Sequence, residues 1–316
     1  MRVIFMGTPD FSVPILEALV EEGHQVVGVV TQPDKPKGRG KAILMTPVKE
    51  KALEYQLPVY QPKKVRDPEF VRVLKEQKAD IMVVAAFGQI LSKEVLEIPP
   101  MGCVNVHASL LPKYRGSAPI QWAVINGEKE TGVTTMMMDE GIDTGDMLEK
   151  EVVFLDADET GDSLHRKLSQ AGSRLIISTL KKLEEKTLVP TPQPEEGSSY
   201  VKMLKKEMGD LDWTMEAQAL ERLVRGLNSW PGTYTRWKGK TLKIWKAAVV
   251  DREYEGVCGQ VVHTDQSTIL VKTGKGALAL LELQPEGKKR MDTAAFLRGY
   301  PVEEGTVFAM RVPDGG

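Results

Sequence analysis

Val3-Ile4-Phe5-Met6-Gly7-Thr8-Pro9-Asp10-Phe11 opens the chain with an apolar run that stops at a glycine-proline turn. Four apolar residues in a row read as a buried strand, and Gly7 to Asp10 read as a turn. Phe11, Ile15, Leu16 and Leu19 then recur on one face of a helix, with Gly23 as its stop. Val26 to Val30, Ile81 to Ala85, Cys103 to Val106 and Val133 to Met138 repeat the apolar theme, with helical patterns between them. Strands apolar throughout and separated by helices imply a parallel sheet covered on both faces. The layout is Rossmann-like α/β and mostly parallel. The Gly-x-Gly-x-x-Gly fingerprint is missing after the first strand, so nicotinamide or flavin binding is not supported.

A helical pattern follows over residues 163–184, carried by Leu164, Leu168, Leu175, Ile176 and Leu180. The texture then changes to Val189-Pro190-Thr191-Pro192-Gln193-Pro194, where alternating prolines favour an extended connection. The expected division is a first domain over 1–188, a linker over 189–207 and a second domain over 208–316. The second domain opens with an amphipathic helix bearing Ala217, Leu220, Val224 and Leu227. Short strand patterns follow at Gly256 to His263, Thr268 to Thr273, Ala277 to Gln284 and Thr306 to Met310, as in a small β-barrel or sandwich.

The 316 residues carry 42 Lys+Arg and 44 Asp+Glu, so the whole chain is no basic nucleic-acid binder. The charge is uneven, however. Residues 202–316 net +3 and residues 1–201 net −5. Two distant cysteines supply neither a disulfide framework nor a zinc cluster, and no metal is expected. No apolar run reaches the ~18 residues of a membrane span, and the start resembles neither a signal nor a transit peptide. A cytoplasmic protein is expected.

The densest chemical candidate is Asn105-Val106-His107-Ala108-Ser109-Leu110-Leu111-Pro112, with Asp143 downstream. Residues two apart on a strand point to one face. In open parallel sheets, ligands bind beyond the carboxyl ends of the strands. Asn105 can donate to a developing oxyanion, and His107 can donate or move a proton. An aspartate in reach would fix the ring's tautomer. The plainer alternative is that Asn105 and His107 only hydrogen-bond loop backbone.

These residues, with Tyr114-Arg115-Gly116, Ala118-Pro119-Ile120 and Asp139-Glu140-Gly141-Ile142-Asp143-Thr144-Gly145, resemble the family of enzymes that use 10-formyltetrahydrofolate as a formyl donor. Phe5 to Phe11, the basic loop after Asp34, Leu211-Asp212-Trp213, Arg222, Arg225, Asn228 and Trp230-Pro231 are similar to its tRNA-directed branch. The resemblance implies a formyltransferase domain followed by a barrel similar to an oligonucleotide-binding fold. It implies formyl transfer to methionyl initiator tRNA, and a monomer is expected. It assigns Asn105, His107 and Asp143 to a catalytic triad. It assigns Ser109, Leu110, Leu111 and Pro112 to a folate signature. Phe87, Gly88, Gln89, Ile90 and Leu91, with Asp139, Glu140, Gly141 and Ile142, match segments that hold the pterin, the backbone pairing its edge and Ile90 and Leu91 covering its faces.

The basic loop carries Lys35, Lys37, Arg39 and Lys41, and the resemblance implies that it wedges into the tRNA acceptor stem. Arg236, Lys238, Lys240 and Lys243 form a second basic stretch, which Lys202, Lys205 and Lys206 extend along the linker. Outward cations of this kind neutralise phosphates. Trp237 is expected in the core rather than on a base, and Met136-Met137-Met138 as core strand. Rival readings are a nucleotide-sugar-amine formyltransferase, a purine-directed one, and a tRNA-binding module with an inactive α/β domain.

Overall fold

The computed structural model describes residues 1–37 and 42–309. The first elements are β1 (Arg2–Gly7), α1 (Val13–Glu21), β2 (Gln25–Val30), β3 (Lys35–Lys37), β4 (Ala42–Leu44), α2 (Pro47–Glu54), β5 (Val59–Tyr60), α3 (Pro68–Glu76) and β6 (Ile81–Ala85). Next come α4 (Lys93–Leu96), β7 (Cys103–His107), β8 (Arg115–Gly116), α5 (Pro119–Asn126), β9 (Glu130–Met137), β10 (Met147–Phe154), α6 (Gly161–Glu184) and β11 (Tyr200–Val201). Two compact units result. One comprises 1–119, 130–154 and 165–201, and the other 120–129, 155–164 and 202–316.

The first unit is built on a seven-stranded sheet in the order β10-β9-β7-β6-β1-β2-β5. Its five strands from β7 to β5 are mutually parallel. Val3 to Met6 and Ile81 to Met82 are fully buried, as strands covered on both faces must be. Ile15, Leu16 and Leu19 of α1 are likewise excluded from solvent. Phe11 lies in a 3-10 turn ahead of that helix rather than inside it. Gly7 permits the tight turn after β1, since a Cβ there would sit 2.7 Å from Ser12 Cβ and 3.0 Å from Ala85 O.

The sheet is mostly parallel, as expected, and β9 is where it turns antiparallel. It pairs antiparallel with β7, and β10 pairs antiparallel with β9. Only residues 138–146 separate β9 from β10, and an antiparallel neighbour can be reached by such a short connection whereas a parallel one needs a crossover. Met136 is buried in β9, as a core strand requires.

The second unit contains α7 (Ala217–Gly226), β12 (Thr233–Trp237), β13 (Lys240–Val250), β14 (Val261–Thr264), β15 (Ile269–Lys272), β16 (Ala277–Pro285), β17 (Met291–Asp292) and α8 (Thr293–Gly299). Its antiparallel sheet follows the path β12-β13-β16-β15-β14, with β17 on β16. Trp213, Leu220, Phe296 and Phe308 fill its core. The strand expected over 306–310 is absent among the described residues. Single bridges from Val307 to Gln260 and from Ala309 to Arg236 stand there instead, touching both ends of the strand path. Gly305 at φ +87 sets that segment off from regular pairing. Among the described residues, no helix is long and apolar enough to cross a membrane.

Candidate active site

β7 places Asn105 and His107 on one face at its carboxyl end, as period-two geometry dictates. His107 is 6% exposed, and Asn105 is half-buried. The imidazole is bounded on both sides. Its Nε2 lies 2.9 Å from Tyr114 O. A carbonyl only accepts, so this nitrogen bears the proton. Nδ1 faces Asp143 Oδ1 at 3.6 Å. The ring thus lies between a hydrogen-bonded carbonyl and a carboxylate that faces its other nitrogen. The Asn105 side chain makes no hydrogen bond among the described residues, which leaves its amide for a ligand.

Asp143 arrives on the segment between β9 and β10. Its Oδ2 accepts the Gly116 N–H at 2.8 Å. Its backbone sits at φ +55, and Ala86, Tyr114 and Ala118 have φ of +44, +60 and +62. Left-handed backbone is costly for residues with a Cβ, and such residues gather where function demands an exact placement. Gly116 is confined to glycine both by φ +95 and by Val201 O, 2.7 Å from where its Cβ would stand.

The segment after His107 is folded onto its own sheet. Buried Ser109 donates to Lys113 O at 2.6 Å. Thr134 Oγ1 donates to Ser109 O at 2.7 Å and accepts the Leu111 N–H at 3.1 Å. Lys150 Nζ donates to Leu111 O at 2.6 Å, and burial lowers the pKa of that amine. Leu111 is buried, whereas Leu110 and Pro112 are partly exposed.

In the loop after β6, Phe87 O accepts from Thr8 Oγ1 at 2.9 Å and from Gln32 Nε2 at 3.2 Å. Gly88 O accepts from the same amide at 3.2 Å. The Gln89 side chain is committed to the Val65 N–H and to Pro62 O. Leu91 is part of the core, while Ile90 is 75% exposed. Ile142 is likewise exposed, in a turn where Asp139 Oδ1 accepts from the Gly141 N–H and Thr144 Oγ1. Glu140 is exposed beside them.

The basic residues divide differently. Lys35, Lys202, Lys205, Lys206, Lys238 and Lys240 are exposed. Lys37 lies in β3, and Arg39 and Lys41 fall outside the described residues. Arg236 is paired with Asp210 at 2.8 Å, so a phosphate would have to compete with that carboxylate. Lys243 and Arg290 each sit 5.2 Å from the centre of the Trp245 ring. Trp237 packs on Phe296 and Tyr300, as expected of a core aromatic, with Lys238 Nζ 4.5 Å from its ring centre.

A family model described as "Formyl transferase" matches residues 1–180, and one described as "Formyl transferase, C-terminal domain" matches residues 203–301. A methionyl-tRNA formyltransferase of Agathobacter rectalis is 57% identical over 98% of this chain and 100% of its own. The chain belongs to the methionyl-tRNA formyltransferase family. Another member, from Caldanaerobacter subterraneus, is 50% identical over 97% of this chain and 99% of its own. Among solved structures, the fold of this formyltransferase family is shared with HypX from Aquifex aeolicus in complex with tetrahydrofolic acid. That match has a TM-score of 0.64 at 19% identity and covers 98% of this chain, which spans 51% of HypX. It is also shared with WlaRD, a sugar 3N-formyl transferase, at a TM-score of 0.66 and 18% identity, over 92% of this chain and 99% of that one.

Sequence reasoning brought Asn105, His107 and Asp143 together but missed what holds them. Tyr114 O, the Gly116 N–H and buried Arg115 are structural partners that sequence reasoning left without a role. The left-handed backbone at Asp143 left no signal in its residue type.

Proposed function

We propose that this chain transfers the formyl group of 10-formyltetrahydrofolate to the α-amino group of methionine esterified to initiator tRNA. The observation that carries the proposal is the His107 ring held between Tyr114 O and the Asp143 carboxylate, beside an uncommitted Asn105 amide. The amine attacks the formyl carbon, and a carbon–nitrogen bond forms. The carbonyl oxygen becomes an oxyanion that Asn105 and the imidazolium stabilise. The amine then loses a proton, with Asp143 assisting through water while His107 stays charged. The bond to N10 breaks, and N10 takes up a proton as it leaves.

The folate would lie along Phe87, Gly88, Gln89, Ile90 and Leu91, Ser109 to Pro112, and Asp139 to Ile142. Exposed Ile90 and Ile142 offer apolar cover for the ring, and the carbonyls already bound by Thr8 and Gln32 stiffen one wall. The second domain, 208–316, and the lysines of the linker would grip the tRNA phosphates. One chain carries all three triad residues, so a monomer in the cytoplasm suffices. The names of the relatives support tRNA over a nucleotide sugar as acceptor.

The deciding assay follows formyl transfer to methionyl initiator tRNA, with uncharged tRNA and a nucleotide sugar amine as controls. Transfer to the charged tRNA alone is expected. Transfer to the sugar alone would keep the triad and overturn the acceptor. Arg39→Ala is expected to raise KM for tRNA about tenfold, the worth of one charge-assisted hydrogen bond of roughly 1.5 kcal/mol, and to leave KM for the folate unchanged. Unaltered tRNA kinetics would remove the wedge role from that loop.

A further inference from the structure

Residues 191–201, read from sequence as part of a linker, are a strap across the candidate site. Thr191 and Met147 exchange backbone hydrogen bonds at 2.8 and 2.9 Å. The Gln193 amide then joins two loops. Its Nε2 donates to Asp143 O and to Gly145 O, both at 2.8 Å, and its Oε1 accepts from Arg115 Nε at 2.9 Å. Further on, Ser199 Oγ accepts the Tyr114 N–H at 2.9 Å, and Ser199 O accepts the Arg115 N–H at 2.8 Å. β11 completes the strap by pairing with β8, and the Arg115 guanidinium lies over the Tyr200 ring at 5.5 Å.

The two groups that bound the imidazole sit on the two loops that this strap joins. Tyr114 supplies the carbonyl to Nε2, and Asp143 supplies the carboxylate to Nδ1. Neither loop is regular, and each carries a left-handed non-glycine residue at the critical place. Such backbone persists only when its surroundings over-determine it. Gln193 supplies that determination. Both of its amide hydrogens end on the 143–145 backbone, and its oxygen ends on the neighbour of Tyr114.

We propose that Gln193 is a positioning residue for formyl transfer, setting the separation of the Asp143 carboxylate from His107 by tying residues 143–145 to Arg115. This rests on the triad reading above. Misplacement of a catalytic group by an ångström costs about 10²-fold in rate.

The test compares Gln193→Ala and Gln193→Glu with the wild-type chain. Gln193→Glu keeps an acceptor for Arg115 but sets a second oxygen against two carbonyls, so the contact to 143–145 alone is lost. In both variants kcat is expected to fall roughly 10- to 100-fold, with KM for folate and tRNA within about twofold. In an Asp143→Asn background the added loss should be under about threefold, because Gln193 acts through Asp143. Wild-type kcat in Gln193→Glu, or the full loss repeated in the Asp143→Asn background, would overturn the assignment.

Hydrogen exchange reads the strap without turnover. The Gly116 amide, held by Asp143 Oδ2, should exchange at least about tenfold faster in either variant, while the β1 amides keep their protection. Unchanged exchange at Gly116 would sink the proposal. If the wild-type chain transferred no formyl group, the proposed function would fail and the exchange result would still decide the strap.

Discussion

Replacing His107 with alanine should lower the single-turnover rate of formyl transfer by about 10²- to 10⁴-fold, the range that a positioned acid–base group contributes. In the proposed mechanism the ring meets the oxyanion, and its Nδ1 faces Asp143 Oδ1 at 3.6 Å. Folate affinity should stay within about threefold, because the segment over 109–112 is fastened to Thr134 and Lys150 rather than to the imidazole. Alanine also removes the Nε2 hydrogen bond to Tyr114 O. One lost hydrogen bond is worth about 0.5–1.5 kcal/mol, so the melting temperature should fall as well. His107→Asn separates the two effects, since its amide can still donate while it cannot carry charge. Turnover within tenfold of wild type for both variants would show that the imidazole is structural. Equal losses in kcat and kcat/KM are the expected sign of a contact made in the transition state.

The parts of this fold that were legible are those set by neighbours along the chain. β1, β6 and β7 announce themselves as apolar runs because each is covered on both faces, and α1 and α7 through the spacing of their buried residues. The shared face of Asn105 and His107 follows from the strand period alone. The supporting contacts were not legible, because they join residues distant in sequence. Gln193 lies 78 residues from Arg115 and 50 from Asp143, and a glutamine between prolines carries no mark of such a role. Proline content suggested a spacer, yet prolines also leave few backbone donors, so between its backbone pairings at Thr191 and at 199–201 the segment is held by the Gln193 side chain. The antiparallel turn of β9 was hidden for a related reason. An apolar strand has the same composition in either direction, and only the short connection over 138–146 decides which one the chain takes. At 306–309 the pattern suggested a strand, and single bridges to Gln260 and Arg236 stand there instead.

Asn105→Ala should reduce kcat by about 10²- to 10³-fold, the loss typical of one oxyanion donor. KM for both substrates should change little. The argument begins with what the amide does in the free chain, which is nothing: it has no hydrogen-bond partner among the described residues. Its removal therefore leaves no protein group unpaired, and stability should hold within about 0.5 kcal/mol, as for a substitution away from packed or paired features. A planar formyl oxygen and a tetrahedral oxyanion occupy different positions. A donor fixed by β7 at the carboxyl end of the sheet can favour the second, so the contact appears in kcat rather than in binding. Asn105→Asp sharpens the test. It is nearly isosteric but sets a negative charge against a developing one, so it should be slower than alanine. An aspartate variant faster than the alanine variant would mean that position 105 meets the attacking amine rather than the oxyanion. In that case the charge-stabilising work would fall to His107 alone, and His107→Asn would then lose as much as His107→Ala.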